Sequence, residues 1–464
     1  MEKKTISPIY RAHFLMEPNQ TICLLNDSFP PLIDGVANAV KNYAQVITDS
    51  GEEAVVITPA HPESSDEAFP YPIIRYPSLD FRKITGGYMA GIPFSPDIAR
   101  ALQGKNVALL HAHCPIISTV LARELRQVVD APLVLTYHTK FDIDIANILK
   151  SKALRAGSIK ALVQNINACD EVWTVSQGAA ENLRSLGYEG ECVVMPNGVD
   201  LPRGRVSQEL IARATAGFDL PQGVPVFLFV GRMMWYKGLR ITLDALAMLM
   251  ARGLDFRMVF IGSGADYDEV VSYAEELGLG KKCFFTGAIQ DRETLRCWYC
   301  RADLFLFPSS FDTNGLVVRE AAACCLGSLL IAGSCAAEGI THGQNGLLME
   351  ENAESMAACL QELLSHPESM ARIGENAGRE LYISWQEAVQ KAMERYEIVI
   401  DRYQSGGYPT RREPVDNLLK ANGELMENLA HLQLLRQELR EKRTEKLPQI
   451  KGKIQTHIHQ RFKE

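Results

Sequence analysis

The residues best suited to chemistry gather in Leu304–Ala323, LFLFPSSFDTNGLVVREAAA. The apolar, aromatic-rich run from Leu304 to Pro308 reads as a short buried strand. SSFDTNG then reads as a polar loop, and LVVREAAA as the opening of an Ala-rich helix. This order sets Asp312, Asn314 and Gly315 between the carboxyl end of a strand and the amino end of a helix. Unpaired backbone N–H groups and the positive end of the helix dipole favour an anion there. Glu320 follows Asp312 by eight residues, at a place in the helix where a carboxylate takes the two hydroxyls of a ribose. Taken alone, the same stretch is one more αβ unit with a solvated Glu.

Histidines supply the next candidates. VALLHAHCP ends a strand at His111 and His113, and APLVLTYHT ends another at His138. Both groups fall on the strand-end edge where α/β proteins place ligands. His111 and His113 have the spacing of a metal pair but no third ligand nearby, so no metal site is expected. His138 stands at the immediate strand end before a polar turn, a site residue or a structural histidine by position alone. Asp34-Gly35 lies on a further strand-to-helix loop, where Gly35 lets the backbone approach a ligand. Asp142-Ile-Asp144 is a literal DxD, a string that can hold a metal–diphosphate, but it leads into a helical pattern and is discounted.

The elements that must position these residues come in two series. TICLLN, EAVVITP, VALLHAHCP, APLVLTYHT, EVWTVS and CVVMPNGVD read as strands of a first αβ block. VPVFLFVGR restarts the pattern, which continues through RMVFIGSG, KCFFTGAI, the opening stretch and SLLIAG. Two such series predict an α/β protein of two doubly wound, Rossmann-like domains with a cleft between them. Boundaries are expected for a tail over 1–20, domains over 21–205 and 206–384, a closing helix over 385–405 and a helical tail over 406–464. LKSKALRAGSIKALV carries Lys150, Lys152, Arg155 and Lys160 without an acid. It reads as a basic amphipathic helix, suited to an anionic membrane or simply to water. In the tail Leu418, Leu425, Leu432 and Leu439 recur every seven residues. Over 414–446 this seam offers a homo-oligomer contact, a dock on the body, or a membrane contact through the basic end.

Bulk composition narrows the classes. At 464 residues, with 47% hydrophobic and 22% charged, the chain is an ordinary globular protein of two-domain size. Its 48 Lys and Arg against 56 Asp and Glu leave a net charge of −8, which argues against a nucleic-acid partner. Eleven cysteines form no framework, and the one CxxC, Cys297–Cys300, is expected on a buried helix face. The odd count, and an N-terminal stretch with no apolar core, are those expected of a chain kept in a reducing cytosol.

In the second series GRMMWYKG (Gly231–Gly238) resembles the Gly-Arg-x-x-x-x-Lys-Gly element of family 4 retaining glycosyltransferases of the GT-B fold. GSG (Gly262–Gly264), FTGAI (Phe285–Ile289) and PNGVD (Pro196–Asp200) stand where that family has close matches. NGLVVREA maps onto its Glu-x7-Glu motif with Asp312 first and Glu320 second. TYHTKFD, with HAHCP and the DGV of Asp34–Val36, looks like the bacterial members that glycosylate diacylglycerol.

The resemblance implies a UDP-linked hexose as donor, a lipid or sugar acceptor, no metal or other cofactor, and a place on the inner face of the plasma membrane. It assigns Arg232 and Lys237 to the donor diphosphate, and two cations five apart after a strand do suit a leaving pyrophosphate. It puts Glu320 on the ribose and His138 against the sugar. It assigns Gly35, Gly262, Ile289, Asp312, Thr313, Asn314, Gly315 and Leu316 to the donor as well. The chain departs from the family at four points: Asp312 stands for Glu, Tyr236 for the Glu before the lysine, Ala323-Cys-Cys325-Leu-Gly327 for an Ala-x-Gly-x-Pro, and Ala336-Ala337 for a Gly-Gly.

Overall fold

The computed structural model describes residues 20–32, 34–82, 87–409, 417, 419–429, 431, 432 and 434. Seven strands, β1 (Gln20–Leu25), β2 (Glu53–Pro59), β3 (Ile73–Tyr76), β6 (Asn106–Ala112), β7 (Leu133–Tyr137), β8 (Glu171–Thr174) and β9 (Cys192–Val194), form one sheet. Its order is β3-β2-β1-β6-β7-β8-β9, while β4 (Ser78–Leu79) and β5 (Ala90–Gly91) make a separate hairpin. Six strands form the second sheet: β10 (Val226–Val230), β11 (Arg257–Ile261), β12 (Cys283–Gly287), β13 (Leu304–Phe307), β14 (Ser328–Ile331) and β15 (Leu347–Met349). They run in the order β12-β11-β10-β13-β14-β15. The ladders of β1, β2 and β6, and those of β10 to β15, are parallel.

Central strands of a parallel sheet are covered on both faces, so they read as continuous apolar runs. β10 does so throughout, and β1 does so from Ile22 onward after opening with Gln20 and Thr21; every residue of both is buried. Each is also the strand at which the order of its sheet reverses, between β1 and β6 and between β10 and β13. In open α/β sheets the loops leaving such a pair diverge to opposite faces and leave a crevice at the carboxyl ends. Phe227 pairs with Leu304 and Leu228 with Phe305, so the loops after Val230 and Phe307 emerge side by side. The first carries Arg232 and Lys237, the second Asp312 to Gly315.

By contacts the chain divides into two compact units. One takes the residues up to Thr136, Lys160–Val172 and those from Glu394 onward; the other takes Tyr137–Ile159 and Trp173–Met393. The cuts fall within β7 and β8 and within the helices Lys152–Asn167 and Trp385–Gln404, so His138 and Ser176 belong with the second unit.

Several local expectations change. The helix Lys152–Asn167 forms, but it is not amphipathic: Leu154 is 61% exposed, and the buried residues Leu162, Val163 and Ile166 lie in its last turns. His111 donates and accepts through both ring nitrogens, to Tyr396 Oη at 2.6 Å and Thr136 Oγ1 at 2.7 Å, which removes it as a metal ligand. The CxxC does lie on a buried helix face, that of Arg292–Arg301, but Cys300 takes its hydrogen bond from the Cys324 thiol.

In the tail, Leu425 and Leu432 are 50% and 51% exposed, while Leu418 and Leu439 lie outside the described residues. The stripe that packs is a different one. Leu419 and Met426 are buried, Met426 against Ala99 and Phe94, and Asn422 Nδ2 donates to Glu124 Oε1 at 2.6 Å. The described part of the tail therefore docks on the first unit through the face beside its heptads. No helix among the described residues is long and apolar enough to cross a membrane.

Candidate active site

Gly231 leaves β10 and its N–H donates to Ile261 O at the end of β11, so the two strand ends stay in register through the turn. The chain then tightens into a 3₁₀ turn, Trp235–Lys237, and Gly238 starts the helix Leu239–Ala251. Gly238 has φ +76°, and a Cβ there would lie 2.0 Å from Pro308 O. Only glycine permits both that backbone and that approach. The cation-bearing loop is thereby pressed against the start of the acidic loop.

Their side chains meet accordingly. Lys237 is buried and its ammonium donates to Asp312 Oδ1 at 2.7 Å. The rings of Tyr236 and Phe311 meet across the two loops with centroids 4.8 Å apart and planes tilted by 40°. Arg232 Cζ lies 5.9 Å from the centre of the Tyr236 ring and Lys237 Nζ 5.6 Å from it, so both cations share one aromatic neighbour. Arg232 itself is exposed. One carboxylate against two cations leaves local positive charge.

Two polar atoms here are buried without a hydrogen-bond partner: Asp312 Oδ2 and Asn314 Nδ2. Buried polar groups are nearly always satisfied, so these two atoms of one loop, an acceptor and a donor, have hydrogen-bonding capacity left to give to a water or a ligand. Gly315, at φ +57°, ends that loop and starts the helix Leu316–Ala323. A Cβ on it would meet Ala336 Cβ at 2.8 Å. The alanine that departs from the family pattern thus packs directly on the loop.

Glu320 is one turn along this helix, its carboxylate held from two sides. Arg292 Nη2 donates to Oε1 at 2.6 Å and the Tyr299 hydroxyl to Oε2 at 2.9 Å. Neither partner is named by the sequence motifs, yet they lie seven apart on one helix, the i, i+7 spacing of a single face. Burial pushes the Tyr299 phenol well above its usual range, with the Glu320 charge adding to it, so it stays a donor.

His138 follows β7 directly and is buried, which depresses its imidazole to about 3 and keeps it neutral at physiological pH. Its backbone carbonyl accepts from Thr313 Oγ1 at 2.9 Å. The structure therefore brings Arg232, Lys237, Asp312, Asn314 and Gly315 together at the β10/β13 crevice, with Glu320 on the adjoining helix. His138 is joined to the same loop. Thr313 lies on that loop between Asp312 and Asn314, its side-chain proton given to the His138 carbonyl. Gly262 follows β11 and Ile289 follows β12, one and two strands from β10. Gly35 lies in the first unit and opens the helix Gly35–Asp49, with Asp34 Oδ1 accepting from Val36 N at 2.8 Å and Ala37 N at 2.7 Å. Among the described residues no group of three or more His, Cys, Asp or Glu side chains is arranged to hold a metal ion.

Two family models match the chain: Glycosyltransferase Family 4 over residues 33–203 and Glycosyl transferases group 1 over residues 213–380. Between them they account for most of its length.

The chain is a family 4 glycosyltransferase.

Curated relatives agree at lower resolution. Alpha-monoglucosyldiacylglycerol synthase of Streptococcus pneumoniae is 24% identical over 65% of this chain and 69% of its own length. D-inositol 3-phosphate glycosyltransferase of Rhodococcus opacus is 29% identical over 66% of this chain and 70% of its own. Among solved structures, that of Anabaena HepE in complex with UDP-glucose superposes with a TM-score of 0.62 at 18% identity, covering 82% of this chain and all but 1% of that one (99%). That likeness is one of fold: GT-B. In this glycosyltransferase the Tyr236 substitution acquires a physical content. Where the family pattern has a carboxylate beside Lys237, this chain has a ring that packs against Phe311 and neighbours both cations.

Proposed function

We propose that this glycosyltransferase moves a hexose from a UDP-linked donor to an acceptor hydroxyl, with retention at the anomeric carbon and without a divalent ion. The observation that carries the reading is the β10/β13 crevice, where Arg232 and Lys237 flank one ring and Asp312 Oδ2 and Asn314 Nδ2 are left without partners. A nucleoside diphosphate sugar answers both halves, with phosphates for the cations and hydroxyls for the orphans. Crystals of HepE with UDP-glucose support the choice of nucleotide.

In this reading Lys237 and Arg232 stabilise the departing diphosphate, aided by the backbone at Gly315 and Leu316. Glu320 holds the ribose, Asp312 and Asn314 hold sugar hydroxyls, and neutral His138 orients the sugar near its anomeric carbon. The bond from that carbon to the phosphate oxygen breaks while the acceptor oxygen bonds on the same face. The acceptor proton passes to the departing phosphate, in place of a second carboxylate. Fixed cations take the role that a divalent ion has in other transferases.

The acceptor we propose is a diacylglycerol-type lipid, met by peripheral contact with the cytoplasmic face of a membrane. The TYHT segment and the pneumococcal relative support it. The Rhodococcus relative favours instead a small phosphorylated polyol. The 414–446 segment is proposed to pair two copies of the chain. Incubating the protein with a panel of nucleotide sugars, diacylglycerol vesicles and soluble acceptors, then weighing the products, tests all of this. A glycolipid from a UDP-hexose is expected; no product from any pair overturns the reading. Full turnover in chelator is expected, and loss restored by magnesium would refute metal independence.

A further inference from the structure

Ser176 is absent from every motif that identified the site, yet it is tied to the donor loop by a hydrogen bond. Its hydroxyl is buried at the start of the helix Gln177–Ser185, accepts from Ala179 N at 3.0 Å, and donates to the Thr313 carbonyl at 2.5 Å. Thr313 passes the link on, its own hydroxyl donating to the His138 carbonyl at 2.9 Å. The anchor of this chain is itself fixed. Glu338 accepts from Gln177 N at 2.8 Å and Gly178 N at 2.5 Å, and its carbonyl accepts from Arg319 Nη2 at 2.8 Å, one residue before Glu320.

We propose that Ser176 and Thr313 are positioning residues, two hydroxyls in series that hold residues 312–316 and the His138 segment in one arrangement. The inference rests on the function proposed above. The Thr313 residue is fastened at both ends, by its carbonyl to Ser176 and by its side chain to His138. The peptide between Asp312 and Asn314 then has no freedom to turn, and the orphaned polar atoms on either side of it keep a fixed spacing. Neither hydroxyl has a proton left over for the donor sugar. Their effect on transfer is through the loop.

Substitutions separate this role from ordinary capping. Asp at position 176 keeps an acceptor for Ala179 N but has no proton for the Thr313 carbonyl, so Ser176→Asp preserves the cap and breaks the link. Ser176→Thr keeps both. Thr313→Val removes only the hydroxyl, and Thr313→Ser restores it. Expected for Ser176→Asp and Thr313→Val is a fall in kcat on the order of tenfold or more, with donor KM moving less and melting temperature held. Thr313→Ser recovers most of what Val loses, and Ser176→Thr behaves as wild type. Amide hydrogen exchange over 312–316 reads the link without any turnover, and is expected to quicken in the Asp and Val variants alone. Wild-type exchange and kcat in both would overturn the proposal, as would a Thr313→Ser protein as impaired as Thr313→Val. A wild-type protein inert with every donor would instead sink the transferase reading, and exchange would still decide the link.

Discussion

Replacing Lys237 by Met separates the two things this lysine is asked to do. Its side chain is 9% exposed and its partner Asp312 23% exposed. Met fills much of the same volume but leaves the Asp312 carboxylate with neither oxygen paired, since Oδ2 already lacks a partner. Removing one member of a buried ion pair costs about 3–5 kcal/mol, and the residual exposure of Asp312 places this case near ~3 kcal/mol. At about 2–4 °C per kcal/mol for a unit of this size, melting should fall by roughly 6–12 °C. Transfer should fall by about 10²–10³ in kcat, the usual effect of deleting one preorganised charge from a site where negative charge develops. The double variant Lys237→Met, Asp312→Asn removes the stranded charge as well. Melting should then return to within a few degrees of wild type while kcat stays depressed. Thermal denaturation and product mass measured on the same preparations give both readouts. If the double variant regains turnover along with stability, Lys237 is only a structural partner for Asp312 and the diphosphate role is refuted. If Lys237→Met melts like wild type, the buried pair itself is refuted.

Other outcomes follow from neighbouring groups. Glu320→Ala should lose most transfer with the protein still folded, and steady-state kinetics with full activity would remove Glu320 from the donor site. His138 is neutral because burial depresses it to about 3. Between that value and its ordinary range near 6.5 the unfolded chain takes up a proton that the folded chain refuses, so stability falls as pH drops through this window. His138→Gln should flatten that dependence in denaturant melts at pH 7 and 5, while lowering transfer on the order of tenfold or more through lost orientation of the sugar. Glu124, beneath the tail, is pushed up to about 7, chiefly by burial, with Asn422 and Arg123 pulling it back. Here the folded state keeps a proton that the unfolded state releases, so stability declines as pH rises from the ordinary Glu range toward 7. Glu124→Gln should therefore melt above wild type at pH 8 and level with it at pH 5.

The fold was legible because central parallel strands cannot disguise themselves. ICLL and VFLFV are apolar throughout, and a chain that repeats such runs between helices has few architectures open to it. The crevice was legible for the same reason, as its loops begin where those runs stop. What escaped was anything decided by a side chain's partner. Nothing local says that Arg292 and Tyr299, on the helix that carries the CxxC, meet the Glu320 carboxylate. Nothing local says either that the Thr313 hydroxyl donates to the His138 carbonyl, a link between residues 175 apart in sequence. In the tail the leucine heptad was the stronger pattern, but burial went to Leu419 and Met426, one residue over from Leu418 and Leu425. A helix with apolar residues on two adjoining faces offers either one to the body, and the choice lay with the surface around Ala99 and Glu124.

The same dependence on partners bears on what the departures from the family at Tyr236, Asp312 and Ala336 do to the site. A Glu at 236 and a Glu at 312 would set two carboxylates against Arg232 and Lys237, and the empty loop pair would be close to neutral. With Tyr236 in place, one carboxylate remains and it is already committed to Lys237. The crevice therefore meets its ligand with an uncompensated guanidinium, and the aromatic ring between the cations stabilises them without neutralising them. That arrangement suits an anion of more than one charge, which in the proposed donor is the diphosphate and not the sugar. In the same proposal sugar recognition falls to Asp312 and the loop behind it. Shortened by a methylene and pinned by Lys237, the Asp312 carboxylate can present only Oδ2 forward, while Ala336 closes the space behind Gly315. On the function proposed above, donor charge and donor sugar are read by different residues of one loop pair, so a change of sugar preference is expected to run through Asp312, Asn314 and Ala336 while the cations stay as they are.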